Sequence, residues 1–187
     1  YSGNRVKGLV FCSSKQEAKA LSDEFNKKGY KTTSLTGEDS QERREREVER
    51  LVADSGDVLD YIFTVDIFNE GVDIPEVNQV VMLRPTQSAI VFIQQLGRGL
   101  RKSKDKDFVV IIDFIANYKN NFLIPVALSG DNSYDKDTVR KFLSQGTRYL
   151  PGTSTIHFDE ISKQRIYSAI DNVKLNTWIF VATEYSK

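Results

Sequence analysis

Cysteine occurs once in this chain, at Cys12, so no intramolecular disulfide can form and a Cys-rich zinc site is excluded. That usage fits a reducing compartment, with the cytoplasm as the default. Histidine is as scarce: His157 is the only one, and a lone histidine without partners reads as structural. Net charge is also missing, because 26 Lys and Arg balance 26 Asp and Glu. No global field recruits nucleic acid or a membrane, and any such partner must be met by a local patch. No apolar run approaches the roughly 18 residues that span a bilayer, and no signal-peptide core opens the chain. Neither GxxxxGK[ST] nor GxGxxG occurs, which excludes a self-sufficient P-loop ATPase. The start at Tyr1 reads as the edge of a piece excised from a larger protein.

What is present is enough for a real core: 187 residues, 40% apolar and 11% aromatic. Residues 6 to 114 alternate short apolar runs with amphipathic stretches, the pattern of repeated β-α units around a parallel sheet. Strands are predicted at Val6–Cys12, Lys31–Leu35, Tyr61–Val65, Gln79–Leu83 and Phe108–Phe114. Several of these, Phe108–Phe114 among them, are continuous apolar runs, as expected of strands covered by helices on both faces. Helices are predicted at Ser14–Lys28, Ser40–Ala53 and Ser88–Leu96. The first opens on a capping box, Ser14-Lys-Gln-Glu17, and stops at Gly29.

After Phe114 the texture changes. A helical stretch over Ala116–Leu128 is interrupted by Pro125, and further helices are predicted at Lys136–Gln145 and Asp159–Val173, the last with Ile161, Ile166, Ala169, Ile170 and Val173 on one side. The reading is therefore an α/β domain over residues 1–114, followed by a mainly helical appendage over 115–187. The acidic pairs Asp23-Glu24 and Asp159-Glu160 fall inside or at the start of helices, not at a strand end, and read as solvated surface; no metal site is assigned. In Glu42–Arg50 four acids offset four arginines, which reads as a solvated helix. Lys102, Lys104 and Lys106 form a local basic patch, a candidate DNA contact or an ordinary charged loop. Trp178 and Tyr185 are candidates for packing on other parts of a parent protein.

The segment Gln94-Gln-Leu-Gly-Arg98-Gly-Leu-Arg101 closes the third helix. Two arginines three positions apart share a helical face, so their guanidinium groups can converge on one polyanion, with glycines allowing close approach. This Q-x-x-G-R-x-x-R run resembles motif VI of the superfamily 2 helicases, and three other segments resemble the companion motifs of the second RecA-like domain, in order. Gly8–Ser14 is similar to motif IV, Leu35-Thr36-Gly37 to the next strand-end motif, and Asp66-Ile-Phe-Asn-Glu-Gly71-Val-Asp73-Ile-Pro75 to motif V.

The resemblance implies a RecA-like parallel sheet and a role in an ATP-dependent motor. ATP and Mg²⁺ would be held mainly by the N-terminal RecA-like domain of the same parent. Arg98 and Arg101 match arginine fingers for the γ-phosphate, and Gln94 matches the polar residue beside it. Gly71 and Asp73 match the pair near the nucleotide, Asp73 accepting from a ribose hydroxyl. Ser13, Ser14, Thr36 and Gly37 match the nucleic-acid face, where a helix N-terminus offers N–H groups to phosphate. Many members carry Thr immediately before the first motif V Asp. Here Val65 takes that place and Thr64 precedes it, which puts the hydroxyl on the other face of the strand. This form resembles the branch of restriction-enzyme motors and excision-repair-type DNA translocases, implying DNA rather than RNA, and no membrane. Asp113–Phe122 is more loosely similar to bacterial multidomain helicases of that branch. A degenerate RecA-like scaffold without motor activity is the alternative.

Since the phosphate-cradling loop is missing, the purified 187-residue chain should hydrolyse no ATP in a steady-state assay. Turnover that disappears on Arg98→Ala in the same preparation would refute this.

Overall fold

The computed structural model describes residues 3–65, 67, 74–84, 106–114, 125, 128, 135–145 and 156–172. The chain divides into two compact units, Tyr1–Pro85 with Gln94–Phe114, and Thr86–Ile93 with Ile115–Lys187. The helix predicted over Ser88–Leu96 lies outside the described residues, as do Trp178, Tyr185 and nearly all of Ala116–Leu128.

The first unit is built on five parallel strands, β1 (Gly8–Phe11), β2 (Thr32–Leu35), β3 (Tyr61–Thr64), β4 (Gln79–Met82) and β5 (Val110–Asp113), in the order β2-β3-β1-β4-β5. Helix α1 (Lys15–Lys27) joins β1 to β2, and α2 (Gln41–Val52) joins β2 to β3. The first crossover runs outward past β3 and the second returns, so right-handed connections place α1 and α2 on opposite faces. Every described strand is one to three residues shorter than its predicted run, as fraying ends are.

The α1 face carries one buried cluster. Val10, Cys12, Ala18 and Phe63 form its buried centre, with Leu21, Phe25, Tyr61, Val65, Val81 and Leu83 packed around them. Phe25 meets Phe63 edge-on at 5.1 Å and Tyr61 at 5.7 Å between ring centroids, the arrangement that aromatic quadrupoles favour. Tyr61 lies so close to β1 that a Cβ on Gly8 would come within 2.2 Å of its ring, and its hydroxyl donates to Gln79 Oε1 at 2.6 Å. Glycine is therefore required at the start of β1. At the sheet edge, Asn26 of α1 brackets Thr32, accepting its N–H at 2.8 Å and donating to its carbonyl at 3.2 Å. Burial, with the Glu17 carboxylate adding to it, pushes the Cys12 thiol up to about 12.

Long-range polar clasps fix the ends where the strands begin. Arg5 donates to the carbonyls of Leu51 (2.5 Å), Leu59 (2.7 Å), Ala53 (3.0 Å from Nε) and Val6 (3.1 Å). Lys7 donates to Val52 O at 2.6 Å. Buried Asn78 ties β4 to the run into β1, accepting from Lys7 N and donating to Arg5 O, both at 2.8 Å.

Two expectations differ. β5 was predicted to be covered on both faces, but it has one neighbouring strand and leaves Phe108, Ile112 and Phe114 exposed. In α2, predicted as a solvated helix, Glu47 is buried, its carboxylate held by Arg46 (3.2 Å) and Arg50 (2.5 Å).

In the second unit, α3 (Lys136–Gln145) and α4 (Glu160–Asn172) are each capped by an aspartate. Asp135 accepts from Thr138 N at 2.9 Å, Asp159 accepts from Ser162 Oγ at 2.6 Å and from Ser162 N at 2.9 Å, and these bonds hold both carboxyls below their ordinary range. Val139, Phe142, Leu143, Phe158, Ile166 and Ile170 are buried. Ile161, predicted on the apolar side of α4, is 65% exposed, because nine residues back from Ile170 is half a turn out of phase.

Removing the Arg5 fork would leave several part-buried carbonyls without a donor. Arg5→Ala should lower the unfolding free energy by about 3 kcal/mol in urea titrations, and Arg5→Lys should recover only part of it, since one ammonium cannot span the same acceptors.

Candidate nucleic-acid interface

The two described segments that carry predicted phosphate contacts lie at the ends of β1 and β2, on the edge where a parallel sheet presents its loops to ligands. β3 separates them, which puts the strand ends roughly 10 Å apart.

At the end of β1, Ser14 is the N-cap of α1. Its Oγ accepts from Glu17 N at 3.1 Å, and Glu17 Oε2 accepts from Ser13 N at 2.6 Å. The capping box is thus closed in both directions. It also uses the Ser13 N–H, leaving the Lys15 and Gln16 amides as the first-turn donors with no acceptor given among the described residues.

At the end of β2, Thr36 and Gly37 form a tight turn into α2. Asp39 Oδ2 accepts from Thr36 N at 2.7 Å, Asp39 N donates to Thr36 O at 3.2 Å, and Ser40 caps α2 by accepting from Arg43 N at 3.3 Å. Arg44 braces this turn from α2, donating to Gly37 O at 2.8 Å and Thr36 O at 3.4 Å. A Cβ on Gly37 would meet nothing within 4 Å, so the backbone is open to an approaching group. An ion pair between Lys15 and Glu38 links this turn to the start of α1. The structure therefore brings together Ser13, Ser14, Thr36 and Gly37.

Sequence reasoning missed Lys15, Arg44 and Glu38 here. The signal was only Lys15 beside the cap and an arginine one helical turn from Ser40. Charge at this edge is balanced, with Lys15, Arg43 and Arg44 against Glu17, Glu38 and Asp39, and Arg43 pairs with Asp39.

Between the two segments stands Thr64, at the end of β3. It is fully buried, and its Oγ1 has no hydrogen-bond partner among the described residues. Tyr61 and Phe63 face α1, so strand alternation puts Thr64 on the other face, beside Phe11 and Leu35 in register. Gly71, Asp73, Gln94, Arg98 and Arg101 lie outside the described residues. Among the described residues no group of three or more His, Cys, Asp or Glu side chains is placed to hold a metal ion. No described helix is long and apolar enough to cross a membrane.

The family described as "Helicase conserved C-terminal domain" matches residues 2–103. The chain is 34% identical over 107 residues to IRC3 of Saccharomyces cerevisiae, a protein named as an ATP-dependent helicase, covering 57% of this chain and 15% of that protein. It is 31% identical over 96 residues to the pre-mRNA-splicing ATP-dependent RNA helicase prp28 of Schizosaccharomyces pombe, covering 51% and 14%. To the ATP-dependent RNA helicase SrmB of Haemophilus influenzae it is 25% identical over 108 residues, covering 58% and 24%. The chain thus spans a quarter or less of the length of these curated relatives. Its fold matches that of the type ISP restriction-modification enzyme LlaBIII (TM-score 0.56, 18% identity, 89% of this chain and 13% of that one). It also matches the C-terminal part of the Fun30 ATPase domain (TM-score 0.51, 12% identity, 90% and 49%). With a five-stranded parallel sheet, helices between its strands and the family match over more than half its length, the chain belongs to the helicase conserved C-terminal domain family, the second RecA-like domain of superfamily 2 helicases.

Proposed function

We propose that this chain is the second motor domain of an ATP-dependent DNA helicase or translocase of the cytoplasm, with residues 1–114 as the RecA-like part and 115–187 as a helical extension. The observation that carries this reading is the span of the family match, which takes in both the Ser13–Gly37 edge and the Gln94–Arg101 run. Bound ATP supplies the phosphoryl group whose transfer to water drives the motor, and Mg²⁺ with the phosphate loop belongs to the N-terminal RecA-like partner domain.

The residues of this chain then have distinct tasks. Arg98 and Arg101 stabilise charge that develops on the γ-phosphate, an effect worth about 10³ to 10⁵ when such a finger is supplied across an interface. Gln94 stands beside that phosphate. Asp73 accepts from a ribose hydroxyl, with Gly71 allowing close approach. On the opposite task, the Lys15 and Gln16 amides and the Thr36–Gly37 turn take successive phosphates of one strand, with the Ser14 cap fixing the helix end that presents them. Closure and reopening of the cleft between the two RecA-like domains would move this grip along the strand. The Thr64-Val65-Asp66 form of motif V supports DNA over RNA, and stimulation of ATPase by single-stranded DNA, duplex DNA and RNA separates them.

The balanced charge at the edge makes affinity dependent on a few phosphates. Binding of single-stranded DNA by the chain alone should be weak and fall steeply with salt, and nanomolar binding that survives 200 mM salt in fluorescence anisotropy would contradict it.

In a protein containing this chain and its ATP-binding partner domain, Arg98→Ala or Arg101→Ala should lower kcat by roughly 10² or more while changing ATP affinity far less, because fingers act on transition-state charge. Lys should rescue poorly and DNA binding should persist. Near wild-type hydrolysis by both alanine variants would favour the scaffold reading instead.

A further inference from the structure

Lys106 belongs by sequence to the basic patch after the arginine pair, yet its ammonium turns inward. Nζ donates to the carbonyl of Val77 at 3.0 Å and to the carbonyl of Pro75. Both acceptors sit in the turn Ile74–Val77, which is closed by Val77 N–H to Ile74 O at 3.2 Å and buries Ile74 and Val77. This turn follows Asp73 directly and leads through Asn78 into β4. Lys106 follows Arg101 by five positions and leads into β5, whose Val110 N donates to Asn78 O at 3.0 Å. One side chain thus joins the run out of motif V to the run out of motif VI.

We propose that Lys106 is a positioning residue that ties the turn Ile74–Val77 to the run into β5, and so steadies the backbone that follows Asp73, the proposed ribose contact, and that it is not a DNA contact. The functional half of this proposal rests on the motor reading above; the clamp does not. The chemistry suits lysine. An ammonium carries three donors and can satisfy two carbonyls that converge from a tight turn, and a long apolar stem can cross the buried Ile74–Val77 surface to reach them. Carbonyls left without that donor would loosen the turn.

The test uses Lys106→Met, which keeps the stem, and Lys106→Arg, which keeps two donors. Amide hydrogen exchange in a protein carrying the partner domain should speed up about tenfold over residues 74–78 in K106M and return toward wild type in K106R. Unchanged exchange overturns the clamp. Under DNA stimulation, K106M should raise KM for ATP about fivefold with kcat within about twofold, and K106R should recover most of it. Faster exchange with unchanged KM overturns the positioning role. The salt slope of DNA binding should not move, whereas a drop of about 0.9 would make Lys106 a phosphate contact and overturn the proposal. Absence of DNA-stimulated hydrolysis in the wild type would sink the motor reading and the functional half with it, independently of the exchange result.

Discussion

The guanidinium of Arg5 is the contact on which the geometry of the first unit most depends. A helix ends with carbonyls that its own ladder cannot satisfy, and α2 ends at Val52 beside Arg5, which donates to Leu51 O and Ala53 O from two of its nitrogens. The cation also opposes the negative end of the helix dipole. Because the same group reaches Leu59 O, two residues before the start of β3 at Tyr61, it sets both the end of α2 and the entry of the strand that follows. From there the constraint runs back along α2: with the helix fixed, Arg44 reaches the Thr36 and Gly37 carbonyls and holds that turn. Seating of the helix at one end is thus transmitted to the turn at the other.

The polar groups at the edge where β1 and β2 end are held in fixed positions by their neighbours or by burial. The capping box spends the Ser13 amide and the Ser14 hydroxyl on Glu17 of α1, and Glu38 holds Lys15. Thr64 goes further, as a buried hydroxyl without a partner among the described residues costs about 1–3 kcal/mol. Its strand neighbours Phe11 and Leu35 cannot supply one, so the cost is borne at the point where motif V begins.

Local pattern was enough for the elements and insufficient for the clasps. Strand runs such as Gln79–Leu83 and the Ser14–Glu17 box are short-range signals, and the parallel sheet followed from their alternation with helices. The motif order puts Ser13, Ser14, Thr36 and Gly37 at strand ends, and the ends of β1 and β2 lie on one edge of the sheet. Arg5, Lys7 and Asn78 gave no such signal, because their acceptors lie 45 to 73 positions away and only the closed sheet brings them near. Glu47 was misjudged for a related reason. Charge cancellation along α2 says that its ions pair, and does not say which of them the sheet will cover. The exposed Phe114 and Ile112 show the converse limit, since an apolar run does not reveal whether its strand is central or at an edge.

Cys12 lies in the sheet with no exposed surface, and its thiolate is disfavoured to about 12. Nucleophilic attack by sulfur needs the thiolate and access, and here both are withheld. The native chain is therefore spectroscopically silent toward thiol chemistry. A cysteine placed on an exposed residue of α1 or α2 would be the sole reactive target for a fluorophore or spin label in this chain, so a label can report on either helix without first rebuilding the core.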